Sequence, residues 1–188
     1  MGNICYSRDN WINNNYNSTN NFSLEGKYIR CRLVDIYDGD TCTCILYVFN
    51  NYYKFNIRLA DIDTCEISSK IYNVKELGYK ARMFLFKRVT NLDEDLYISR
   101  KEMRNKLNKK VYLLNILCGE FDKYGRLLGW LFNKDILYKC SKELLLLKSL
   151  NTELLNERLA YKYNGKSKLT ELEQLELLKV NNELNIMN

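Results

Sequence analysis

The chain has 188 residues, 46% hydrophobic and 28% charged, enough apolar content for one globular domain with a core of its own and too much for a disordered chain. Its formal net charge of +6 favours anionic partners, either nucleic acid or an acidic membrane surface. Histidine is absent, which excludes serine or cysteine catalysis with an imidazole base and zinc sites built on histidine, so acid–base work falls to Asp, Glu, Tyr, Lys or Cys.

Residues 1–25 are rich in Asn and Ser and have neither helical nor strand period, so a mobile leader is predicted there, with the folded domain over 26–188. The chain starts Met1-Gly2-Asn3-Ile4-Cys5, which makes Gly2 a candidate for myristoylation and Cys5 for palmitoylation. The hydroxyl of that motif falls on Ser7, one position late. No secretory signal or membrane-spanning run is visible, so the expected location is intracellular and cytoplasmic, with a membrane tether if Gly2 and Cys5 are acylated.

Residues 28–36 alternate apolar and polar, Asp38-Gly39 marks a turn, and 41–49 is rich in β-branched and aromatic residues. Asn50-Asn51 turns the chain into a third strand over 52–59. Val74, Leu77, Ala81, Phe84, Leu85 and Val89 make one helical stripe. Further strands are predicted over 96–98, 111–117 and 127–132, and helices near 151–159 and 169–184. The implied fold class is α+β: a five-stranded OB-like Greek-key β-barrel with an inserted helix and C-terminal helices. Seven cysteines at irregular spacing do not form a disulfide framework; Cys42 and Cys44 share one strand face and read as small core thiols in a reducing compartment.

Three short blocks carry the chemistry: Asp38-Gly39-Asp40-Thr41, the run from Ile57 to Glu66, and Asp122-Lys123-Tyr124-Gly125-Arg126. Asp40 leaves a turn and Asp63 ends the third strand, positions that a meander brings together. With a backbone carbonyl such as that of Thr64, they suit a hard cation, Ca²⁺ or Mg²⁺. Glu66 stands close by as a base, and Arg58 and Arg126 offer planar forks for phosphate. Taken singly, each is as readily a turn carboxylate or a solvated arginine; their shared order is what points to phosphodiester hydrolysis.

In these blocks the chain resembles the staphylococcal nuclease (thermonuclease) family, from about residue 28 to the C-terminal helix. The resemblance implies a Ca²⁺-dependent endonuclease on an OB-like barrel, acting on DNA and RNA and leaving 3′-phosphate ends. It implies Asp40, Asp63 and the Thr64 carbonyl as Ca²⁺ ligands, with Mg²⁺ second to Ca²⁺, and Glu66 as general base. Arg58 and Arg126 would hold the scissile phosphate, and Tyr124, Tyr161 and Tyr163 would contact substrate, the last two weighed equally against packing under the final helix. Cys65 stands where the family often has proline, which sets a thiol beside the site with the expectation that oxidation inhibits it. Residues 99–110 look longer than the family's usual connection, and 133–147 also reads as inserted. The first of these carries Arg100, Lys101, Arg104, Lys106, Lys109 and Lys110 against Glu102, and is read as a substrate-backbone contact or a solvated loop. The rival readings are an OB-fold module that binds nucleic acid or protein without catalysis, and a membrane-docked interaction protein. No protein partner is inferable.

Overall fold

Side-chain alternation sets the barrel. In the computed structural model, which describes Trp11 and residues 13–179, β1 (Tyr28–Ile36), β2 (Thr41–Val48) and β3 (Asn51–Leu59) form an antiparallel meander. Cys42, Cys44 and Leu46 point inward and are buried, while Thr41, Thr43 and Ile45 between them are only partly covered, the period of a sheet with one dry face. A two-residue strand, β4 (Ile62–Asp63), follows. β5 (Leu113–Phe121) and β6 (Leu127–Asn133) make a second antiparallel pair. β3 joins β6 in parallel through Ile57 and Leu127, and β1 joins β5, closing the order β1-β2-β3-β6-β5. Closure removes the open edges on which strands aggregate. Outside the barrel, β7 (Tyr161–Lys162) pairs with β4.

Among the described residues the cysteines are free, and Cys31, Cys42, Cys44 and Cys118 sit in the barrel core beside Leu33, Leu46 and Ile116. Burial pushes the Cys118 thiol up to about 12, so it stays protonated and packs as a small apolar group. The last part of the expected leader belongs to the folded body: Leu24 is buried in the same core, and the Phe22 ring packs on Phe49 and Phe121. Gly2 and Cys5, the candidate acylation sites, lie outside the described residues.

Two helices, not one, are inserted before β5. α1 (Tyr72–Thr90) buries Val74, Ala81 and Leu85 along the expected stripe and ends where Asn91, with φ of 57°, donates its N–H to the Lys87 carbonyl. α2 (Arg100–Lys109) occupies the stretch read as a charged loop. A reciprocal cap between Ser99 and Glu102 starts it, and Met103 and Leu107, four apart, bury one face on the barrel. The expected strand over 96–98 is instead a turn: the Asp95 carboxylate accepts the Tyr97 N–H at 2.8 Å, and the Ile98 carbonyl accepts from the buried Arg82 guanidinium at 2.6 Å. Residues 133–147 are pinned from below, with the Tyr28 hydroxyl donating to the Ile136 carbonyl at 2.7 Å and Asn115 donating to the Lys134 and Ile136 carbonyls. They include α3 (Lys142–Leu146), which seats Leu145 on Leu117 and Phe132. α4 (Leu150–Asn156) and α5 (Glu171–Lys179) are the last helices among the described residues. From α4, the buried Asn151 donates to the Ala60 and Gly129 carbonyls and accepts the Leu131 N–H, satisfying the backbone where β3 and β6 meet.

α2 is also held electrostatically. Asp35, buried on β1, takes Arg100 at 2.6 Å and Arg104 at 2.7 Å. Burial alone raises its pKa, but the hydrogen bonds from both guanidinium groups outweigh this and hold the carboxyl below its ordinary value. A depressed folded pKa gives stability that is complete above the unfolded value near about 4 and lost as pH falls through the lower folded value. Asp35→Asn is therefore expected to lower the melting temperature at pH 7 and to converge with the wild type in strong acid. Both arginines are nearly half exposed, so the difference is screened to about 1 kcal/mol. Thermal melts across the acid range check this; equal melting temperatures at neutral pH would remove Asp35 from the docking of α2.

Candidate active site

The turn between β1 and β2 is built to present Asp40. The Asp38 carboxylate accepts the Asp40 N–H at 3.1 Å, an Asx-type turn that leaves the Asp40 side chain facing the interior, 4% exposed. Asp40 Oδ2 accepts the Thr64 N–H at 3.0 Å and the Thr64 hydroxyl at 3.2 Å, while Oδ1 accepts the Thr41 hydroxyl. Arg58, across the β2–β3 ladder from Thr41, lays its guanidinium between the two predicted ligands: Nη1 on Asp40 Oδ1 and Nη2 on Asp63 Oδ1. Asp40 and Asp63, 23 positions apart in sequence, thus converge on one guanidinium.

The β4–β7 pair explains how Asp63 is held, because its register sets Tyr161 directly opposite. The Tyr161 hydroxyl donates to Asp63 Oδ2 and is itself buried. Burial, reinforced by the hydrogen bond to Asp63 and that group's charge, pushes the phenol well above its ordinary value, so it remains a donor. Of the two readings weighed for Tyr161, packing under the final helix is the one seen: it is buried with Leu175 and Leu178 of α5 and positions Asp63 instead of lining the cleft with Tyr163. Lys168, which no motif singled out, bridges the acids, 3.1 Å from Asp63 Oδ1 and 3.0 Å from Glu66 Oε1. Glu66 is half exposed, on a loop against which α1 packs so closely that a Cβ at Gly78 would stand 2.5 Å from the Cys65 carbonyl. Cys65 is buried with Val74, Tyr161, Leu175 and Leu178. Burial first, then the charge of Asp63, pushes its thiol up to about 12. The expectation of an oxidisable thiol at the site does not hold: the side chain is a protonated filler, shielded by α5.

The second arginine comes from the β5–β6 turn. The Asp122 carboxylate accepts the N–H groups of Tyr124 and Arg126, both at 2.9 Å, and the Arg126 Nε at 2.7 Å. Gly125 supplies the φ of +77° that the turn needs. Burial raises Asp122, but the bonds from Arg126 and Tyr124 prevail and hold it low, so it stays anionic and aims Arg126. The exposed Tyr124 ring lies 5.5 Å from the Arg126 guanidinium carbon and 5.1 Å from Lys123 Nζ. Arg58 and Arg126 line one open cleft of about 640 Å³, together with Tyr124, Tyr163 and Trp130. Tyr163 is set by its N–H on the Asp61 carbonyl, and Trp130 by its indole N–H on the Asp61 carboxylate. Trp130 is a cleft residue that, like Lys168 beside the acids, carried no motif.

A family model for the staphylococcal nuclease homologues matches residues 56–184, more than two thirds of the chain. The chain belongs to the staphylococcal nuclease homologue family. No curated protein matches it. The matched stretch of this nuclease homologue contains Arg58, Asp63, Glu66 and Arg126 but begins after Asp40. Closure of the barrel through β1 and β2 is what returns Asp40 to the site.

The charge balance of the homologue's site bears on a metal. Among the described residues, Arg58 and Lys168 pair with Asp40, Asp63 and Glu66, and Asp38 feels the charges of Arg58 and Arg82, so four acids outnumber three bases. Burial raises the Asp38 pKa, and the neighbouring charge of Glu66 raises it further against the pull of Arg58. Among the described residues no group of three or more Cys, Asp or Glu side chains is preassembled around a metal position. The donors are nonetheless all oxygen and over-supplied with negative charge, which suits a hard divalent cation.

Proposed function

We propose that this staphylococcal nuclease homologue is a phosphodiester hydrolase, a Ca²⁺-dependent endonuclease acting on DNA, RNA or both and leaving 3′-phosphate ends. The observation that carries the reading is the shared cleft: Arg58, locked between Asp40 and Asp63, and Arg126, aimed by Asp122, line the same cavity. Two permanently charged forks on one cleft match the non-bridging oxygens of a single phosphodiester. The family and the net charge of +6 agree with a nucleic-acid substrate.

Asp40 and Asp63, with the Thr64 carbonyl, would hold the cation, which when bound supplies positive charge against the phosphoryl oxygens. The remaining work belongs to the chain. Arg126, held by Asp122 through its Nε, offers its Nη groups to the incoming phosphate, and both arginines stabilise charge as it spreads over the phosphoryl oxygens. Glu66, freed from Lys168, takes a proton from the attacking water at its Oε1 as the water oxygen bonds to phosphorus and the P–O5′ bond breaks, the departing 5′-oxygen taking a proton from solvent. Tyr124 and Tyr163 flank the entering nucleotide. Acylation at Gly2 and Cys5 would place the enzyme in the cytoplasm at a membrane face; no helix among the described residues is long and apolar enough to cross a membrane.

The internal pairing of the site, with every acid already facing a basic group or a hydrogen-bond donor, is the observation that favours a non-catalytic binding module. Incubating the full chain with plasmid and with a labelled single-stranded oligonucleotide, with and without Ca²⁺, separates the readings. Cation-dependent cleavage with phosphate on the 3′ end is expected; tight binding without cleavage in Ca²⁺ would establish the module instead.

A further inference from the structure

We propose that the outer face of β1–β3, from the cleft to the β2–β3 hairpin and flanked by α2, is a binding track for single-stranded nucleic acid. It rests on the nuclease reading for the origin of the strand at Arg58, and extends the substrate contact well beyond the scissile phosphate.

The register fixes which side chains share that face. Along β3, Tyr52, Lys54, Asn56 and Arg58 alternate with inward residues, and their β2 partners are Tyr47, Ile45, Thr43 and Thr41. Arg58 lines the cleft and is the last position of the row, one step along that face from Asn56. The middle of the row forms a groove of about 520 Å³ walled by Thr43, Ile45, Lys54 and Asn56 of the sheet and by Arg104 and Asn108 of α2. Apart from the apolar Ile45 and Val34, the walls offer hydroxyl, amide and cationic groups, which suit a sugar–phosphate backbone. Asp35 on the floor is already taken up by Arg100 and Arg104. Lys101, three residues before Arg104 on the same helix, makes no ion pair among the described residues.

The far end of the row is aromatic. Tyr47 and Tyr52 face each other across the ladder with centroids 4.9 Å apart, and are 51% and 71% exposed. No core uses them. An exposed aromatic pair at the end of a cationic groove is what base stacking requires, and stacking does not depend on sequence. The seven residues from Tyr52 to Arg58, six steps along the strand, span about 20 Å, room for roughly four nucleotides, the lower end of what an OB-type barrel engages. An unpaired strand is specified because stacking on tyrosine needs bases that are free of a duplex.

The test uses the full chain in EDTA, so that nothing is cleaved, and the anisotropy of a fluorescein-labelled oligothymidylate, a dithymidylate and a hairpin duplex. The oligothymidylate should bind more tightly than the duplex. Tyr47→Ala with Tyr52→Ala should weaken it about ten-fold or more, while Tyr52→Phe, which keeps the ring, should not. Lys54→Gln should reduce the salt slope by about one unit or slightly less. Dithymidylate binding, and cleavage of short substrates in Ca²⁺, should be unchanged in all of them. If the double variant binds the oligothymidylate as tightly as the wild type, the track is overturned; a tyrosine-dependent dimer with unaltered oligonucleotide binding overturns it in favour of self-association. If no substrate is cleaved yet the tyrosines control oligothymidylate binding, the nuclease reading falls and the track stands; cleavage with tyrosine-independent binding does the reverse.

Discussion

Truncating Arg126 to alanine is expected to lower turnover of a phosphodiester substrate by about three orders of magnitude and to leave the fold standing. The asymmetry follows from how the residue is held. Its ion pair with Asp122 joins neighbours in one turn and is partly solvated, so losing it costs about 1 kcal/mol or less. Its charge, by contrast, faces a cleft where a transition state spreads negative charge, and a preorganised guanidinium there has no substitute from water. Arg58→Ala is a poorer probe: it strips the shared partner from two buried carboxylates and is expected to damage stability and catalysis together. Glu66→Gln should resemble Arg126→Ala in turnover, because it removes the base and keeps the side-chain shape. Single-turnover cleavage in Ca²⁺ beside a thermal melt checks both. Turnover within ten-fold of the wild type for Arg126→Ala, with the fold intact, would leave the hydrolase reading without its second arginine.

What made Arg58, Asp63 and Arg126 legible in the sequence is that each lies at a fixed step from a turn or strand end. The strand period then decides which face it serves, and closure of the barrel does the rest. Asp122-Lys123-Tyr124-Gly125-Arg126 could be read outright: the aspartate that caps the turn and the glycine that permits it are both in the motif. Lys168 could not be read, since it meets Glu66 across 102 positions from a loop with no period or signature. Trp130 passed as one more apolar strand residue. α2 was missed because only Met103 and Leu107 are apolar in ten residues, and six basic groups nearby suggested a solvated loop. The cap Ser99-x-x-Glu102 was the available signal. Residues 96–98 look like a strand because three residues are too few to show whether a strand partner exists; Arg82, buried on α1, claims the Ile98 carbonyl instead. Tyr161 illustrates a further limit: a tyrosine in a family's aromatic segment can face the ligand or the carboxylate behind it, and only the β4–β7 register decides.

Lys168→Met is expected to tighten Ca²⁺ binding by about ten-fold and to make the cation-free protein less stable. In the structure Lys168 and Arg58 make the ion pairs to Asp40, Asp63 and Glu66, so the ammonium acts as an internal counter-ion. A divalent ion entering beside Asp63 meets Lys168 as a like charge close at hand; methionine keeps the length of the side chain and removes that repulsion. Lys168 is about half exposed, which screens the interaction well below its value in a dry interior and is why ten-fold, not thousands, is the expected size. Without cation the same substitution leaves Asp63 and Glu66 with less compensation, so the variant should melt below the wild type in EDTA. Added Ca²⁺ should then raise its melting temperature by more than it raises that of the wild type, the linkage expected of a ligand that binds only the folded state. Lys168→Arg preserves the charge and should behave as the wild type in both measurements. Calorimetric titration of Ca²⁺ against the three proteins reads the affinity directly, without reference to cleavage. Equal affinities would show that Lys168 orders the loop of Glu66 and has no part in the charge balance of the site.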